Sequence, residues 1–535
     1  MSHLVVSNVA FGYPGADQLF FDVSFRISPG EHAAIIGDNG TGKSTLIQVI
    51  AGLLTAEEGE ISVGGRTLYM PQDVGVTDAQ TVHELLLSYA PPLMRNSGER
   101  MLDAERRLAA GDDAAGIDLG VAIGEWSERG GYELEATWDA SARRIVGLSF
   151  ADIAERWADT LSGGERKQLV LDVLLNSDAD VLLLDEPDNY LDIPAKRWLE
   201  AEIARSRKTI VTVSHDRHLL STAIDKIVTL EASGATAGSW THGGSYATYA
   251  DARTARQEQL GDDLKRWQDE ERRLFHHYKI MKQRAALNYK NASRADAAES
   301  RWERFVAAGP PPPPIPDQRV KMRLRGGDSA RRVIALRGVG LDGMIAAYSD
   351  EVMFGERIGL VGPNGSGKSH MLRLIAGTET PSEGEVVVGN RVSPGVFTQV
   401  NARPDFAGRD VGAIVADRAG NIEAATKALA RYGIHAAVRR PYETLSGGQK
   451  ARLEILCLEL EGHNLLLLDE PTDNLDIVSC EALEGALDSF TGTVVAISHD
   501  RTFLTELDRF WLLDHDGTCT EYLDYDSAVA ALVAP

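Results

Sequence analysis

The feature that most constrains the fold is a set of short motifs that occurs twice along the chain. GDNGTGKS at 37–44 returns as GPNGSGKS at 362–369, with an offset of 325 residues. LSGGE at 161–165 returns as LSGGQ at 445–449, with an offset of 284. Self-similarity of this kind means that two copies of one structural unit lie in tandem, and a chain of 535 residues is long enough to hold both.

The offsets also locate an insertion in the first copy. Gln72 and Gln399 are 327 residues apart, whereas the LSGG motifs are 284 apart, so 43 additional residues lie between Gln72 and Ser162. This region contains the charged, helix-prone stretch SGERMLDAERRLAAG and, further on, two tryptophans. We expect a small helical arm at about 88–145, and an enlarged helical subdomain is the alternative interpretation.

Each G-x-x-x-x-G-K-[ST] segment follows an apolar strand and precedes an apolar helix, which is the context of a phosphate-binding loop. Its glycines let backbone N–H groups point at phosphate oxygens at the start of a helix, where the helix dipole also favours an anion. The lysine suits the terminal phosphates, and the hydroxyl after it suits Mg²⁺. The predicted ATP contacts are Gly37, Asn39, Gly40, Gly42, Lys43, Ser44 and Thr45 in the first loop and Gly362, Asn364, Gly365, Gly367, Lys368, Ser369 and His370 in the second.

Two apolar runs of buried-strand length, VLLLDE at 181–186 and LLLLDE at 465–470, end in paired acids. The first acid of a pair can reach a metal ion, and the second can orient or deprotonate an attacking water. A histidine follows each pair at the same distance of 29 residues and can contact the terminal phosphate. The predicted residues are Asp185 and Asp469 for the metal, together with Ser44 and Ser369, and Glu186, Glu470, His215 and His499 for catalysis.

With the LSGG motifs added, the chain resembles the ATP-binding-cassette superfamily across both halves. The resemblance implies an α/β fold of two P-loop domains in tandem, with ATP and Mg²⁺ as cofactors and ATP hydrolysis as the reaction. It also implies that the cassettes pair head to tail within a monomer, so that each LSGG motif faces the phosphate loop of the other cassette. The residues that it adds are Tyr13 for adenine, Gln72 and Gln399 for ATP and the metal, Asp192 and Asp476 as D-loops, and Ser162, Gly163, Gly164, Ser446, Gly447 and Gly448 for ATP.

The second site departs from this pattern in two places. Gly343 lies where Tyr13 lies in the first copy, so that no adenine-stacking aromatic is evident there. His370 replaces the hydroxyl of Thr45. Since Glu470 and its partner histidine persist, we predict that the second site still hydrolyses ATP but binds adenine less tightly or less selectively.

Composition excludes several classes of protein. A formal net charge of −24 argues against a surface that coats nucleic acid broadly, so any RNA contact has to be local. Three isolated cysteines exclude a disulfide framework or a zinc ribbon and point to a reducing compartment. No secretory signal or membrane-length apolar run is evident, and we therefore predict a cytoplasmic protein.

Between the copies the sequence reads as charged helix and then GPPPPPIP at 309–316, where the prolines end helical structure. Apolar residues at alternating steps of three and four, with Glu271 in the one broken slot, predict an α-helical hairpin that turns between Lys282 and Ser293. The predicted divisions are a first cassette over 1–245, a linker over 246–331 with a proline-rich exit, and a second cassette over 332–535.

The predicted hairpin carries basic residues and no acid from Arg272 to Arg294. Such a run is usually a solvated helix face. Its single sign, at the tip of a hairpin on an acidic chain, favours a probe that faces RNA. The RNA-contact residues predicted on this basis are Arg272, Arg273, Lys279, Lys282, Arg284, Lys290 and Arg294.

Tandem cassettes, an inserted arm and a charged helical linker together resemble the ABC-F family. That resemblance implies binding to the ribosome at its tRNA exit site, with linker and arm reaching large-subunit rRNA and tRNA near the peptidyl-transferase centre, and no membrane subunit. Two outcomes fit, resistance to an antibiotic or drug-independent tuning of elongation, and the divergent DEPDNYLD at 185–192 favours resistance slightly. The alternatives are the ATPase component of a transporter with separate membrane subunits and a DNA-repair or chromosome ATPase.

Overall fold

The computed structural model describes residues 3–15, 17–75, 80–233, 236–315, 320–398 and 403–533. Over these ranges the chain forms two α/β units in tandem with a helical hairpin between them, which confirms the predicted fold class. No helix in the described ranges is long and apolar enough to cross a bilayer.

The strands of the first unit form one mixed sheet. They are β1 (Leu4–Gly12), β2 (Gln18–Ile27), β3 (His32–Gly37), β4 (Glu58–Val63), β5 (Thr67–Met70), β6 (Val181–Asp185), β7 (Thr209–Val213), β8 (Lys226–Ser233) and β9 (Thr236–Gly243). Their order is β4-β1-β2-β9-β8-β3-β7-β6-β5. Strands β8, β3, β7, β6 and β5 pair in parallel, so the carboxyl ends of β3, β6 and β7 meet at one edge. The first phosphate loop, the first acid pair and His215 follow these three ends directly.

Helices cover the faces of this sheet. They are α1 (Lys43–Ile50), α2 (Val82–Leu87), α3 (Pro92–Ala109), α4 (Ala115–Glu128), α5 (Gly131–Ile145), α6 (Phe150–Ile153), α7 (Gly163–Leu175), α8 (Ile193–Arg205) and α9 (Arg217–Thr222). The inserted residues form α3, α4 and α5. Trp126 and Trp138 are fully buried and belong to one apolar cluster with residues of α7 and β6, so the inserted helices pack onto the cassette itself.

The linker consists of α10 (Tyr246–Leu287) and α11 (Ala292–Ala307). The rings of Tyr278 and Trp302 stack at 5.7 Å, and Trp267 stacks on Phe305 at 5.4 Å, which confirms the predicted seam of the hairpin. Glu271 fills the broken slot, because its carboxylate accepts a 3.1 Å hydrogen bond from the Trp302 indole N–H.

The ends of the linker pack against both units. Tyr249, in the first turns of α10, shares a buried cluster with Ile36 of β3 and with Ile477 of the second unit. The proline-rich exit runs back along α10, where the Ile315 N–H donates to Gln257 Oε1 at 2.8 Å. The root of the hairpin is therefore fixed to the nucleotide-binding units on both sides.

The second unit repeats the architecture of the first. Its strands are β10 (Arg332–Leu341), β11 (Ile345–Met353), β12 (Arg357–Val361), β13 (Glu383–Val388), β14 (Pro394–Phe397), β15 (Leu465–Asp469), β16 (Thr493–Ile497), β17 (Arg509–Leu513) and β18 (Cys519–Tyr522). They form a β11-β10-β13 sheet and a β14-β15-β16-β12-β17-β18 sheet. In the second sheet the first five strands in this order pair in parallel. Its helices are α12 (Lys368–Ala376), α13 (Val411–Ala419), α14 (Ile422–Arg431), α15 (Gly447–Glu461), α16 (Ile477–Asp488), α17 (Arg501–Leu504) and α18 (Tyr525–Val533).

Candidate functional site

The two phosphate loops have the same internal geometry. In the first, Gly42 has φ +92° and α1 begins at the next residue, while the Lys43 ammonium donates to the carbonyls of Gly37 at 2.9 Å and Asp38 at 3.1 Å. In the second, Lys368 donates to the equivalent carbonyl of Gly362 at 2.9 Å. Burial lowers the pKa of both lysines. Each loop therefore holds a buried cation at the start of a helix, which suits a polyphosphate.

Each loop faces the LSGG motif of the other cassette. Asn39, Ser44 and Glu186 line a cavity of about 330 Å³ together with Ser446, Gly447 and Gly448. The second cavity, of about 500 Å³, brings the loop residues Asn364, Gly365, Gly367, Lys368, Ser369 and His370 together with Ser162, Gly163 and Gly164. The structure thus contains two composite sites, as head-to-tail pairing requires.

Glycine is needed where the LSGG motifs meet the opposite loops. A Cβ at Gly448 would lie 2.2 Å from Asn39 Nδ2, and one at Gly164 would lie 2.9 Å from Asn364 Nδ2. The asparagines use this space to donate from their side chains to the Asn474 carbonyl at 3.0 Å and the Tyr190 carbonyl at 2.9 Å. These contacts fix each phosphate loop to the other cassette.

The D-loop aspartates add a matched pair of contacts across the interface. The backbone N–H of Asn39 donates to Asp476 at 3.2 Å, and that of Asn364 donates to Asp192 at 3.3 Å. Each aspartate also caps the helix that follows it, accepting from Ala195 N–H or Ser479 N–H. One carboxylate thus joins a helix start to the opposite phosphate loop.

Glu186 lines the first cavity and has a left-handed backbone, with φ +48°. Residues other than glycine adopt this conformation at a cost, and it clusters at active sites. Gln72 and Asn189 each donate to its Oε2 at 2.6 Å. Burial, with the charge of Asp185, raises the pKa of Glu186 to about 7. A carboxyl with a pKa near neutrality can accept a proton from water.

Glu470 occupies the equivalent place in the second site, with φ +51°. Burial and the neighbouring Asp473 raise the pKa of Glu470 to about 8. The Glu470 carboxylate accepts from the His499 backbone N–H at 3.1 Å and lies 3.4 Å from Nε2 of the same histidine. The position of Asn189 in the first site is taken by Asp473 in the second, so the two carboxyls are held by different neighbours.

The histidines leave buried polar atoms for a ligand. Both ring nitrogens of His215, and Nδ1 of His499, are buried without a hydrogen-bond partner among the described residues. Burial and the charge of Lys43 lower the pKa of His215 to about 3, so its imidazole is neutral at physiological pH. A neutral imidazole N–H suits the terminal phosphate of ATP, and the residues present therefore fit the nucleotide.

Oxygen donors in each site fit Mg²⁺. Ser44 Oγ donates to Asp185 at 3.0 Å, and Ser369 Oγ donates to Asp469 at 3.3 Å, and burial raises the pKa of both aspartates. Gln72, also predicted to reach the metal, contacts Glu186 instead. Gln399 lies outside the described residues.

The residues predicted to distinguish the two sites lie beside the loops. The Tyr13 hydroxyl is 3.1 Å from Thr45 Oγ1, and its ring is about half exposed, at 48%. In the second site His370 Nδ1 lies 2.8 Å from Glu379, and Met344 lines the cavity where the first site has no methionine. Tyr190 of the first cassette also lines the second cavity, an aromatic that the sequence analysis missed.

The basic residues of the hairpin fall into two groups. Local acids pair with Arg272 through Asp269 at 2.6 Å, with Arg273 through Glu270 at 2.7 Å, and with Lys282 through Glu299 at 3.5 Å. The remaining predicted contacts are exposed and have no ion pair among the described residues. They are Lys279, Arg284, Lys290 and Arg294.

Comparisons with known proteins agree with this geometry. A family model described as "ABC transporter" matches residues 20–189 and 347–473. The chain is 41% identical to an "Antibiotic resistance protein" of Mycobacteroides abscessus, over 98% of this chain and 99% of that protein. It is 33% identical to the "Tylosin resistance ATP-binding protein TlrC" of Streptomyces fradiae, over 90% and 91% of the two chains.

A translation-related protein and a solved structure are also similar. The chain is 29% identical to the "Energy-dependent translational throttle protein EttA" of Mycobacterium tuberculosis, over 94% of this chain and 88% of that one. The structure of "RNase-L Inhibitor" superposes with a TM-score of 0.61 at 19% identity, covering 99% and 92% of the two chains. That likeness shows the shared tandem fold.

Proposed function

Because the chain belongs to the ABC-F family of ATP-binding-cassette proteins, we propose that in its ATP-bound form it binds the ribosome near the tRNA exit site. The chain is an ATP hydrolase. In this proposal hydrolysis at the two composite sites releases it, and residues 246–331 form a linker that reaches towards the P-site tRNA and the peptidyl-transferase centre. The protein then works in the cytoplasm as a monomer without a membrane subunit.

The observation that carries this proposal is the exposed, unpaired basic tip of the hairpin. Its charges, Lys279, Arg284, Lys290 and Arg294, form a local basic group on a chain with a net charge of −24. Phosphate contacts by such side chains provide the salt-dependent part of RNA binding. The inserted helices α3 to α5, which pack onto the first cassette, supply a second surface that we propose to take the role predicted for the arm.

The site residues receive roles in the same proposal. ATP phosphates bind the two loops and the opposing LSGG motifs, Mg²⁺ lies against the Ser44–Asp185 and Ser369–Asp469 pairs, and Tyr13 contacts adenine. Glu186 and Glu470 accept the proton of the attacking water. His215 and His499 contact the terminal phosphate. The head-to-tail pairing of the cassettes, with an LSGG motif facing each phosphate loop, supports one ATP in each cavity.

Sedimentation with ribosomes tests the proposal. The double variant Glu186→Gln/Glu470→Gln, which cannot complete hydrolysis, is expected to co-sediment with ribosomes when ATP is present. In that background, the four tip residues without an ion pair are replaced by glutamine. The slope of log affinity against log salt concentration should then become less negative by about 3, because each phosphate contact contributes about 0.7–0.9 to its magnitude.

The matched control is Arg272→Gln/Arg273→Gln, which removes two charges of the same hairpin that already pair with Asp269 and Glu270. The control should bind ribosomes nearly as well as its parent. Equal binding by tip variant and control would reject the role of the tip. Co-migration with membranes and not with ribosomes would support a transporter ATPase instead.

Drug resistance is the more specific outcome that we propose. Its support is the similarity to two proteins whose names state resistance, one of them at 41% identity. Similarity to a translational throttle protein supports drug-independent tuning of elongation as the second candidate. Expression in a susceptible host should raise the inhibitory concentration of a drug that acts near the peptidyl-transferase centre, and a change in growth without any change in susceptibility would favour the second candidate.

A further inference from the structure

One buried cation breaks the two-fold correspondence of the cassettes. Helices α8 and α16 follow equivalent capping aspartates, and the position four residues after the aspartate is Lys196 in the first helix and Cys480 in the second. Most polar contacts across the interface occur in matched pairs. Lys196 has no counterpart.

Lys196 joins the two histidine-bearing loops. Its ammonium donates to the backbone carbonyl of His499 at 3.2 Å and lies 3.3 Å from the carboxylate of Asp216, the residue after His215. The Lys196 side chain is only 11% exposed. Burial alone would lower the pKa of Lys196, but surrounding aspartates outweigh it and raise this pKa above the ordinary value. They are Asp216, Asp188, Asp473 and Asp500. The charge of Lys196 is therefore permanent at neutral pH.

The contact acts on a histidine that touches the catalytic carboxyl of the second site. His499 donates its backbone N–H to Glu470 at 3.1 Å, and its ring Nε2 lies 3.4 Å from the same carboxyl. Lys196, from the opposite cassette, holds the third polar group of that residue, its carbonyl. His499 is thus fixed between the two cassettes.

In the part of the chain that the structure describes, no lysine of the second cassette donates to the His215 carbonyl, and Lys196 reaches the first site only through its ion pair with Asp216. The Cys480 thiol lies 3.8 Å from the Thr472 carbonyl and 3.9 Å from the Leu475 carbonyl, both within its own cassette. The ring nitrogens of His215 have no partner among the described residues, and Glu186 is held by Gln72 and Asn189. The two sites therefore differ in what positions the histidine.

We propose that Lys196 is a positioning residue for ATP hydrolysis in the second site, which it serves from the first cassette by fixing His499 against Glu470. Since the contact crosses the interface, it exists only when the cassettes are closed. Closure of the two cassettes on each other is then a condition for turnover in the second site. Lys196 lines the first cavity and not the second, so a change of ATP affinity in the second site is not expected from its loss.

The test measures the first turnover of ATP in two backgrounds. Glu186→Gln leaves the second site active, and Glu470→Gln leaves the first. Adding Lys196→Met to Glu186→Gln should lower the first-turnover rate constant at least about tenfold, while the half-saturating ATP concentration changes less than about threefold. In the Glu470→Gln background the same change should lower the rate constant several-fold less than in the Glu186→Gln background, because Lys196 reaches the first site only through its ion pair with Asp216.

Two further variants separate positioning from folding. Lys196→Arg keeps the charge and the donor and should restore most of the rate. Arg197→Met, at the exposed neighbouring position of α8, should change neither background. If Lys196→Met does not fold, Lys196→Met/Asp500→Asn keeps the net charge of the cluster and should show the same loss, with Asp500→Asn alone as its control. Equal loss in both backgrounds, a raised half-saturating concentration, or no loss in either would overturn the proposal.

Discussion

At the scale of single residues, Glu186 and Glu470, the carboxyls proposed to be catalytic, carry protons that the unfolded chain would release. The pKa of Glu470 is raised to about 8 and that of Glu186 to about 7, in both cases by burial first and by a neighbouring aspartate second, from an ordinary value of 4.5. Below pH 4.5 the carboxyl is protonated in both states, and between pH 4.5 and 8 only the unfolded chain releases the proton. The folded protein therefore loses stability as pH rises through this window.

Glutamine cannot ionise, so Glu470→Gln should raise the unfolding temperature of the nucleotide-free protein at pH 8.5 by roughly 3–6 °C and leave it nearly unchanged at pH 5. Glu186→Gln should give a smaller rise, because its pKa is displaced less. Differential scanning calorimetry at the two pH values measures both. Replacing the exposed Glu99 by glutamine is the control, and a rise that is the same at pH 5 and 8.5 would contradict this explanation.

Most residues of the site could be predicted because their spacing recurs in both copies. Among the residues that differ between the copies, the sequence analysis missed three pairs: Asn189 against Asp473, Tyr190 against Asn474, and Lys196 against Cys480. Each pair stands at equivalent positions after the acid pair, so the signal was present as a mismatch. Its meaning could not be deduced, because the contacts of Asn189 with Glu186 and of Lys196 with the opposite cassette depend on the folded positions of these side chains.

At the scale of elements, one tryptophan makes several of the contacts between the two helices of the hairpin. The Trp302 ring stacks on Tyr278 and also lies 5.2 Å from Phe275. Trp302→Ala should destabilise the hairpin by about 2–3 kcal/mol, less than a fully buried tryptophan would cost. Hydrogen exchange over 260–305 should show faster exchange in this variant, with the turnover of ATP unchanged in the absence of ribosomes.

Trp302→Phe keeps a stacked ring but loses the indole N–H bond to Glu271, so it should fall between the parent and Trp302→Ala. Unchanged protection in Trp302→Ala would show that the seam is held elsewhere. The hairpin itself was predictable, since apolar residues recur at helical spacing. The sequence predicted only that the turn lies between Lys282 and Ser293, because no glycine or proline marks it. The structure ends α10 at Leu287, within that range.

At the scale of the whole molecule, two related ion pairs close the cassettes on each other. Arg217 pairs with Glu484, and Arg501 pairs with Glu200. The two arginines end the sequence SHDR, which occurs at 214–217 and again at 498–501. Both guanidinium groups are nearly buried, at 12% and 5% exposure. The pairing of the cassettes was implied by family resemblance, whereas the partners of these arginines, some 270 and 300 residues away, could not be read from spacing.

Loss of one partner of a buried interface pair costs about 2–5 kcal/mol, so Arg501→Met and Arg217→Met should each lower steady-state ATP turnover at least about tenfold. The double variant should be little worse than either, because closure has already failed. Arg205→Met is the control, since this arginine of α8 is exposed and pairs with Glu202 within its own helix. Normal turnover in both single variants would show that closure does not need the pairs.

Because the root of the hairpin is fixed to both cassettes, a rotation at the root moves the whole hairpin as one unit. Helix α10 has 42 residues and is therefore about 63 Å long, at about 1.5 Å per residue. A rotation of about 10° at its root would carry the basic tip roughly 10 Å, several times the size of the movement at the root itself. A small rotation of the root would thus be amplified at the far end of the hairpin, where the basic tip residues lie.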